Sequence, residues 1–142
     1  MVHRLKALPS YLPRKYRAQP SAPVRNALDR YTLEIPAGKL DSPDEAKIDC
    51  AYRELEEETG YRCDHLEYLM SVNTTIAFCD EALDIFLARD LKKTHQHLDP
   101  DEEIEVEACE LSDFLKRIYA GELTDGKTVS AILAYACKAG QK

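Results

Sequence analysis

No apolar run in this 142-residue chain approaches the ~20 residues that a membrane-spanning helix needs, so no membrane partner is expected. There are no internal repeats either. Five cysteines (Cys50, Cys63, Cys79, Cys109 and Cys137) include no CxxC pair, are odd in number and follow no apolar signal segment, which points to reduced thiols and a cytoplasmic location. Cys50 and Cys137 fall in helical patterns, where packing in a core is their expected role. Positive charge is also short. Against 26 acidic residues stand 19 Lys and Arg, a net −7, whereas a general nucleic-acid binder needs surplus cations to neutralise phosphates.

The charge is spread unevenly. Residues 1 to 25 hold six basic residues (Arg4, Lys6, Arg14, Lys15, Arg17 and Arg25) and no acidic one, and the rest carries 13 basic against 26 acidic. The leader also holds Pro9, Pro13, Pro20 and Pro23 and no sustained period, so residues 1 to 28 are expected to be irregular and 1–23 to be an arm outside a domain at 24–142. A truncated or frameshifted start is one account of it. Its prolines spoil the amphipathic helix that a transit peptide needs. At 44% hydrophobic, the chain suffices for one domain with a core.

Within that domain one stretch stands out. Arg53-Glu54-Leu55-Glu56-Glu57-Glu58-Thr59-Gly60-Tyr61 stacks more negative charge on neighbouring helical turns than a stable helix favours. At about 100° per residue, Glu57 lies roughly 60° to one side of Glu54 and Glu58 about 40° to the other, so the three carboxylates share a face while Glu56 points away. Like charges at this spacing cost a few tenths of a kcal/mol per pair, and only Arg53, four residues before Glu57, offsets them. A divalent cation offsets more. Mg²⁺ takes oxygen ligands and leaves room for water and substrate phosphates, which suits a carboxylate cluster open on one side.

The flanks separate this run from a solvated acidic surface. Ile48, Ala51, Tyr52 and Leu55 occupy another arc of the same helix, so the acidic stripe is held beside a core. Gly60 ends the helix as a C′ glycine. Upstream, Tyr31-Thr32-Leu33-Glu34-Ile35 alternates like a strand and runs into the breaker Pro36-Ala37-Gly38, and Pro43-Asp44-Glu45 restarts a helix. Strands are predicted at about 29 to 35, 66 to 73, 82 to 89 and 104 to 109, and helices at about 44 to 59, 111 to 119 and 126 to 138. Ser112 is a candidate start for the second helix and Thr124 or Asp125 a candidate cap for the third. The fold class is α/β (α+β).

Gly38, Glu45 and the run from Arg53 to Tyr61 resemble the Nudix box, G-x5-E-x7-R-E-U-x-E-E-x-G-U, in which U is aliphatic or aromatic. One departure concerns the loop: six residues separate Gly38 from Glu45 where the pattern has five, so Asp44 is an alternative to Glu45. Leu33 to Gly38, and Gly121-Glu122-Leu123-Thr124-Asp125-Gly126-Lys127-Thr128, are similar to the ADP-ribose pyrophosphatase group of that family. The resemblance covers roughly residues 24 to 137 and implies an α/β/α sandwich around a mixed sheet. That group usually brings antiparallel strands before the box, which pair two subunits and bind the adenine end, and residues 1 to 23 show no such pattern.

The resemblance also implies chemistry. It makes Glu54, Glu57 and Glu58, with the carbonyl of Ala37, ligands of Mg²⁺ or Mn²⁺, and it gives a small-molecule nucleotide substrate, foremost ADP-ribose cut to AMP and ribose 5-phosphate. Oxidised nucleoside triphosphates or dinucleotides, or a catalytically silent binding domain, are the alternatives. A homodimer is the assembly to expect. Arg53 reads as an ion-pair orienter because Glu57 is in reach. A further carboxylate, as base or ligand, would come from the acidic loop Asp99 to Glu103, with Glu102 first and Glu103 second. Arg25 is the candidate for substrate phosphate contact. His95 and His97 lack a third ligand at metal spacing and are expected to be solvent-exposed. Lys127 is assigned to a helix start, with substrate contact as its alternative.

Overall fold

The computed structural model describes residues 2–6, 10–11, 14–18, 32–100 and 102–140, with side chains over 32–100 and 104–140. In chain order come strands β1 (Val2–Lys6), β2 (Ser10–Tyr11), β3 (Arg14–Ala18) and β4 (Thr32–Glu34), then helix α1 (Lys47–Thr59). Strands β5 (Tyr61–Arg62), β6 (Leu66–Asn73), β7 (Ala82–Arg89), β8 (Lys92–Lys93), β9 (Glu102–Val106) and β10 (Cys109–Glu110) follow, before helices α2 (Leu111–Tyr119) and α3 (Gly126–Gly140).

Strand β7 organises the core. Ile85, Phe86, Leu87 and Ala88 are buried in succession, the pattern of a strand covered on both faces. Because strand side chains alternate, Phe86 and Ala88 pack with Cys50, Ala51 and Leu55 of α1, while Leu87 packs with Phe114 of α2 and with Ile132 and Tyr135 of α3. Ile85 meets Ala131 and Ile35 on that second side. Helices therefore cover both faces, which is the α/β/α sandwich. The sheet is mixed as expected: β7 pairs with β6 antiparallel, with a register shift between Tyr68 and Met70, and with β1 parallel from Val2↔Ile85 to Lys6↔Arg89. A second sheet runs β4-β3-β9, antiparallel throughout.

The spans of β6, β7 and α2 match the sequence expectations, and other boundaries shift. The expectation of irregular structure over residues 1 to 28 does not hold for Val2–Lys6, Ser10–Tyr11 and Arg14–Ala18. These strands occupy proline-free runs, and their partners lie far away in the chain, so no local period announces them. Helix α1 begins at Lys47 rather than near residue 44, after a turn in which Glu45 N–H donates to the Ser42 carbonyl. Strand β9 begins at Glu102 rather than 104. Ser112 does not start α2, since Glu110 is the N-cap residue and Leu111 the first helical one. On α1, Ile48 is exposed where the apolar arc placed it toward the core, while Cys50 packs in the core as expected. Cys137 is exposed, not packed. Gly60 ends α1 as expected, at φ 67° in the left-handed region, with its N–H donating to the Glu56 carbonyl.

Candidate active site

Two segments meet to form the site. Strand β4 leads into Ile35-Pro36-Ala37-Gly38, in which Ile35 and Pro36 are buried, and this segment lies along the acidic face of α1. The Ala37 N–H donates to Glu58 Oε2 at 3.0 Å, and Glu58 is itself buried. Gly38 sits so close to Glu54 that a Cβ there would fall 1.7 Å from Glu54 Oε1. Only glycine leaves room for that carboxylate.

Arg53 gathers the charges. Its Nη1 donates to Glu54 Oε1 at 2.9 Å and to Glu57 Oε2 at 3.0 Å, its Nε to Glu45 Oε1 at 3.2 Å, and its Nη2 to the Lys39 carbonyl at 3.0 Å. Asp41 Oδ2 stands 3.2 Å from Nε. Burial works against the guanidinium charge, but bonds to Glu45, Glu57 and Glu54 outweigh it and hold the Arg53 pKa above its ordinary value. Glu45 is correspondingly held below the usual carboxylate range, chiefly by its hydrogen bond from Arg53 and then by the Asp41 N–H. Asp44 is exposed, so Glu45 takes the place next to Arg53 despite the longer loop. Cys50 Sγ donates to the Lys39 carbonyl at 3.1 Å, and burial pushes this thiol up to about 11, so it stays protonated at neutral pH.

Among the described residues, no three His, Cys, Asp or Glu side chains converge as a ready metal cage. Glu54 and Glu57 turn to one guanidinium nitrogen and Glu58 to a backbone N–H. The donor set still fits a hard cation. It is all oxygen, it carries more negative charge than Arg53 neutralises, and the backbone of Ala37 and Gly38 is held directly against it.

A cleft of about 580 Å³ opens beside this cluster, bordered by Ala37, Gly38 and Lys39, by Asn73 and Thr74, and by Lys127. A second hollow of about 350 Å³ shares Gly38 and Lys39 with it. Lys39 is exposed, and among the described residues its ammonium makes no ion pair.

The remaining expectations distribute as follows. Glu102 and Glu103 lie on β9 opposite Ala18 and Arg17, at the start of the strand and not in the loop before it. The chain ahead of them is fastened to the end of α1: Thr94 N–H donates to the Gly60 carbonyl at 2.7 Å, His97 N–H to that of Glu57 at 2.9 Å, and Gln96 Nε2 to that of Glu58 at 2.8 Å. His95 and His97 are exposed as expected. Arg25 lies outside the described residues. Lys127 is at the start of α3, with its Nζ 2.5 Å from Glu34 Oε2 and 2.8 Å from Asp125 Oδ1. Sequence reasoning missed Gln96, Lys39 and the Glu34 to Lys127 pair. Only the cap signal at Asp125 hinted at the last.

An α/β/α domain that presses a glycine-bearing loop onto an acidic helix defines a class, and comparison with known proteins agrees. A family profile described as NUDIX domain matches residues 17–130. The ADP-ribose pyrophosphatase of Bacillus subtilis (strain 168) is 42% identical over 110 residues, which are 76% of this chain and 59% of that protein. The methanol dehydrogenase activator of Bacillus methanolicus is 38% identical over 110 residues, with the same shares. A crystal structure of an ADP compounds hydrolase superposes with a TM-score of 0.82 over 99% of this chain and 72% of its own, and at 19% identity it shows the shared fold. The chain belongs to the NUDIX domain family. It spans 59% of the length of the two Bacillus relatives. The family generally uses a divalent metal ion.

Proposed function

We propose that this chain is a Mg²⁺-dependent pyrophosphohydrolase acting on a nucleoside diphosphate sugar, with ADP-ribose the substrate and AMP and ribose 5-phosphate the products. The observation that carries this reading is the acidic face of α1 at the edge of an open cleft, with Glu58 on the Ala37 N–H, Glu54 against Gly38, and Glu57 joined to Glu54 through Arg53. Relatives with a pyrophosphatase name support the substrate class.

A pyrophosphate link is anionic at neutral pH and repels nucleophiles. Water must add to one phosphorus while the bridging oxygen leaves with the other, and the water's proton must go to a base. Glu54, Glu57, Glu58 and the Ala37 carbonyl would hold the cation, Mg²⁺ or in its place Mn²⁺. That cation would neutralise phosphate oxygens and lower the pKa of water. Arg53 draws Glu54 and Glu57 to one guanidinium nitrogen and limits their mutual repulsion. Glu102, with Glu103 second, is the proposed proton acceptor, and the ties of residues 94, 96 and 97 to the end of α1 support this reading. Arg25 is proposed to contact phosphate, and Lys39, which makes no ion pair among the described residues, offers a cation at the cleft. A cytoplasmic homodimer is the proposed state. Among the described residues, no helix is long and apolar enough to cross a membrane.

A panel of ADP-ribose, other diphosphate sugars, dinucleotides and nucleoside triphosphates, assayed with Mg²⁺ or Mn²⁺, tests the reading. ADP-ribose is expected to turn over best. A triphosphate turned over faster would move the substrate class, and no turnover at all would leave a binding domain. Gly38→Ala is expected to fold, because the obstructing group is the end of a flexible side chain, yet to lose roughly tenfold in kcat as Glu54 is driven from its place. Circular dichroism with steady-state rates checks both halves.

A further inference from the structure

We infer that the first turn of α3 is a positioning device for the loop Ile35 to Gly38, with Thr128 its central residue. The inference rests on the reading that this loop belongs to a hydrolytic site. Thr128 is fully buried, and its hydroxyl has one proton to give. That proton goes to Asp125 Oδ2 at 2.5 Å, and Asp125 Oδ2 also accepts the Thr128 N–H at 3.0 Å, the bond of an N-cap carboxylate. With its proton so committed, the Thr128 oxygen accepts the Ile35 N–H at 3.1 Å, across 93 residues of sequence. Pro36 follows and has no N–H, so the next donor along the loop is Ala37, whose N–H is bound to Glu58.

The loop is thus pinned at Ile35 to α3 and at Ala37 to α1, with Gly38 then seated on Glu54. Lys127 reinforces the first pin. Its Nζ bridges Asp125 Oδ1 at 2.8 Å and Glu34 Oε2 at 2.5 Å, and Glu34 Oε1 accepts from Thr32 Oγ1 at 2.6 Å. All three charged side chains are at most 23% exposed, so water replaces these bonds poorly. Lys127 borders the cleft, yet its charge is shared between two carboxylates, which assigns it to holding the loop and not to binding substrate anions. Beside the Glu58 pin, the Ala37 carbonyl and the Glu54 carboxylate then take their positions from Thr128, Asp125 and Lys127, none of which is assigned to the cation. A small displacement of such groups is costly, since productive geometry tolerates little error.

Thr128→Val keeps the side-chain shape and removes both hydroxyl bonds, Thr128→Ser keeps the hydroxyl, and Lys127→Met removes the bridging charge. Three measurements apply: amide hydrogen exchange at Ile35 and Ala37 in the metal-free protein, Mn²⁺ affinity by electron paramagnetic resonance without substrate, and kcat and KM on ADP-ribose. In Thr128→Val we expect exchange at both amides to speed up about tenfold, Mn²⁺ to bind roughly fivefold more weakly, and kcat to fall about tenfold with KM within about twofold. Thr128→Ser should restore all three. For Lys127→Met, faster exchange with a lower kcat supports the device. A raised KM with unchanged exchange and kcat would make Lys127 a substrate contact and remove it from the device. Unchanged exchange and Mn²⁺ affinity in Thr128→Val, or equal losses in Thr128→Val and Thr128→Ser, would overturn the inference. Exchange and Mn²⁺ binding need no turnover, so they judge it separately even if ADP-ribose is not hydrolysed.

Discussion

Glu57→Gln is expected to lose at least about a hundredfold in kcat on ADP-ribose while unfolding at nearly the wild-type temperature. The two halves have different causes. Glu57 is 40% exposed, and its bond to Arg53 is a helical i,i+4 pair of the kind worth less than about 1 kcal/mol. The amide keeps the shape and one acceptor oxygen, and Arg53 retains Glu45 and Glu54. Stability should therefore barely move. What the amide cannot supply is negative charge where a cation must be drawn to the phosphate bridge, and charge stabilisation is commonly the largest single contribution to such a reaction. Single-turnover rates and a thermal melt of the same sample check the prediction. Equal rates for the two proteins would contradict the role given to Glu57, and a large fall in melting temperature would recast it as structural.

Removing residues 1–18 is expected to abolish cooperative folding. Strand β3 lies between β4 and β9, so its loss leaves two strands of that sheet without the neighbour that satisfies their backbone N–H and C=O groups. Strand β1 contributes five register pairs along β7, the strand at the centre of the core. Strand β4 also leads directly into Ala37, so loss of its ladder would release the loop that carries the site. Urea unfolding followed by circular dichroism should show a broad, non-cooperative transition for the truncated chain. The full chain should resist proteolysis within Val2–Lys6 and Arg14–Ala18. A truncated chain with an unchanged, sharp transition would instead show that 1–23 is an arm outside the domain at 24–142.

How legible the site was depends on the range of each interaction. The carboxylates of α1 were found because helical spacing alone places Glu54, Glu57 and Glu58 on one face, and Arg53 reaches Glu57 within the same helix. Glu45 was open to exchange with Asp44, because a loop with an extra residue leaves its register undetermined until Arg53 selects a partner. Ile48, expected on the core-facing arc, is exposed because that arc fixes a direction only within a few tens of degrees, while packing against Phe86 and Ala88 decides which side chains are enclosed. Lys127 could be placed at a helix start by its neighbours, but its partner Glu34 lies 93 residues away.

From sequence alone came the acidic face of α1, its stop at Gly60, the spans of β6 and β7, and the family resemblance, because periodicity and chain breakers act over a few residues. The tertiary structure decided which groups meet: Ala37 with Glu58, Gly38 with Glu54, Ile35 with Thr128, and the strands of residues 2–18 with their ladders. A hydrogen bond across the fold depends on how whole elements pack, and no local pattern of residues encodes its distant partner.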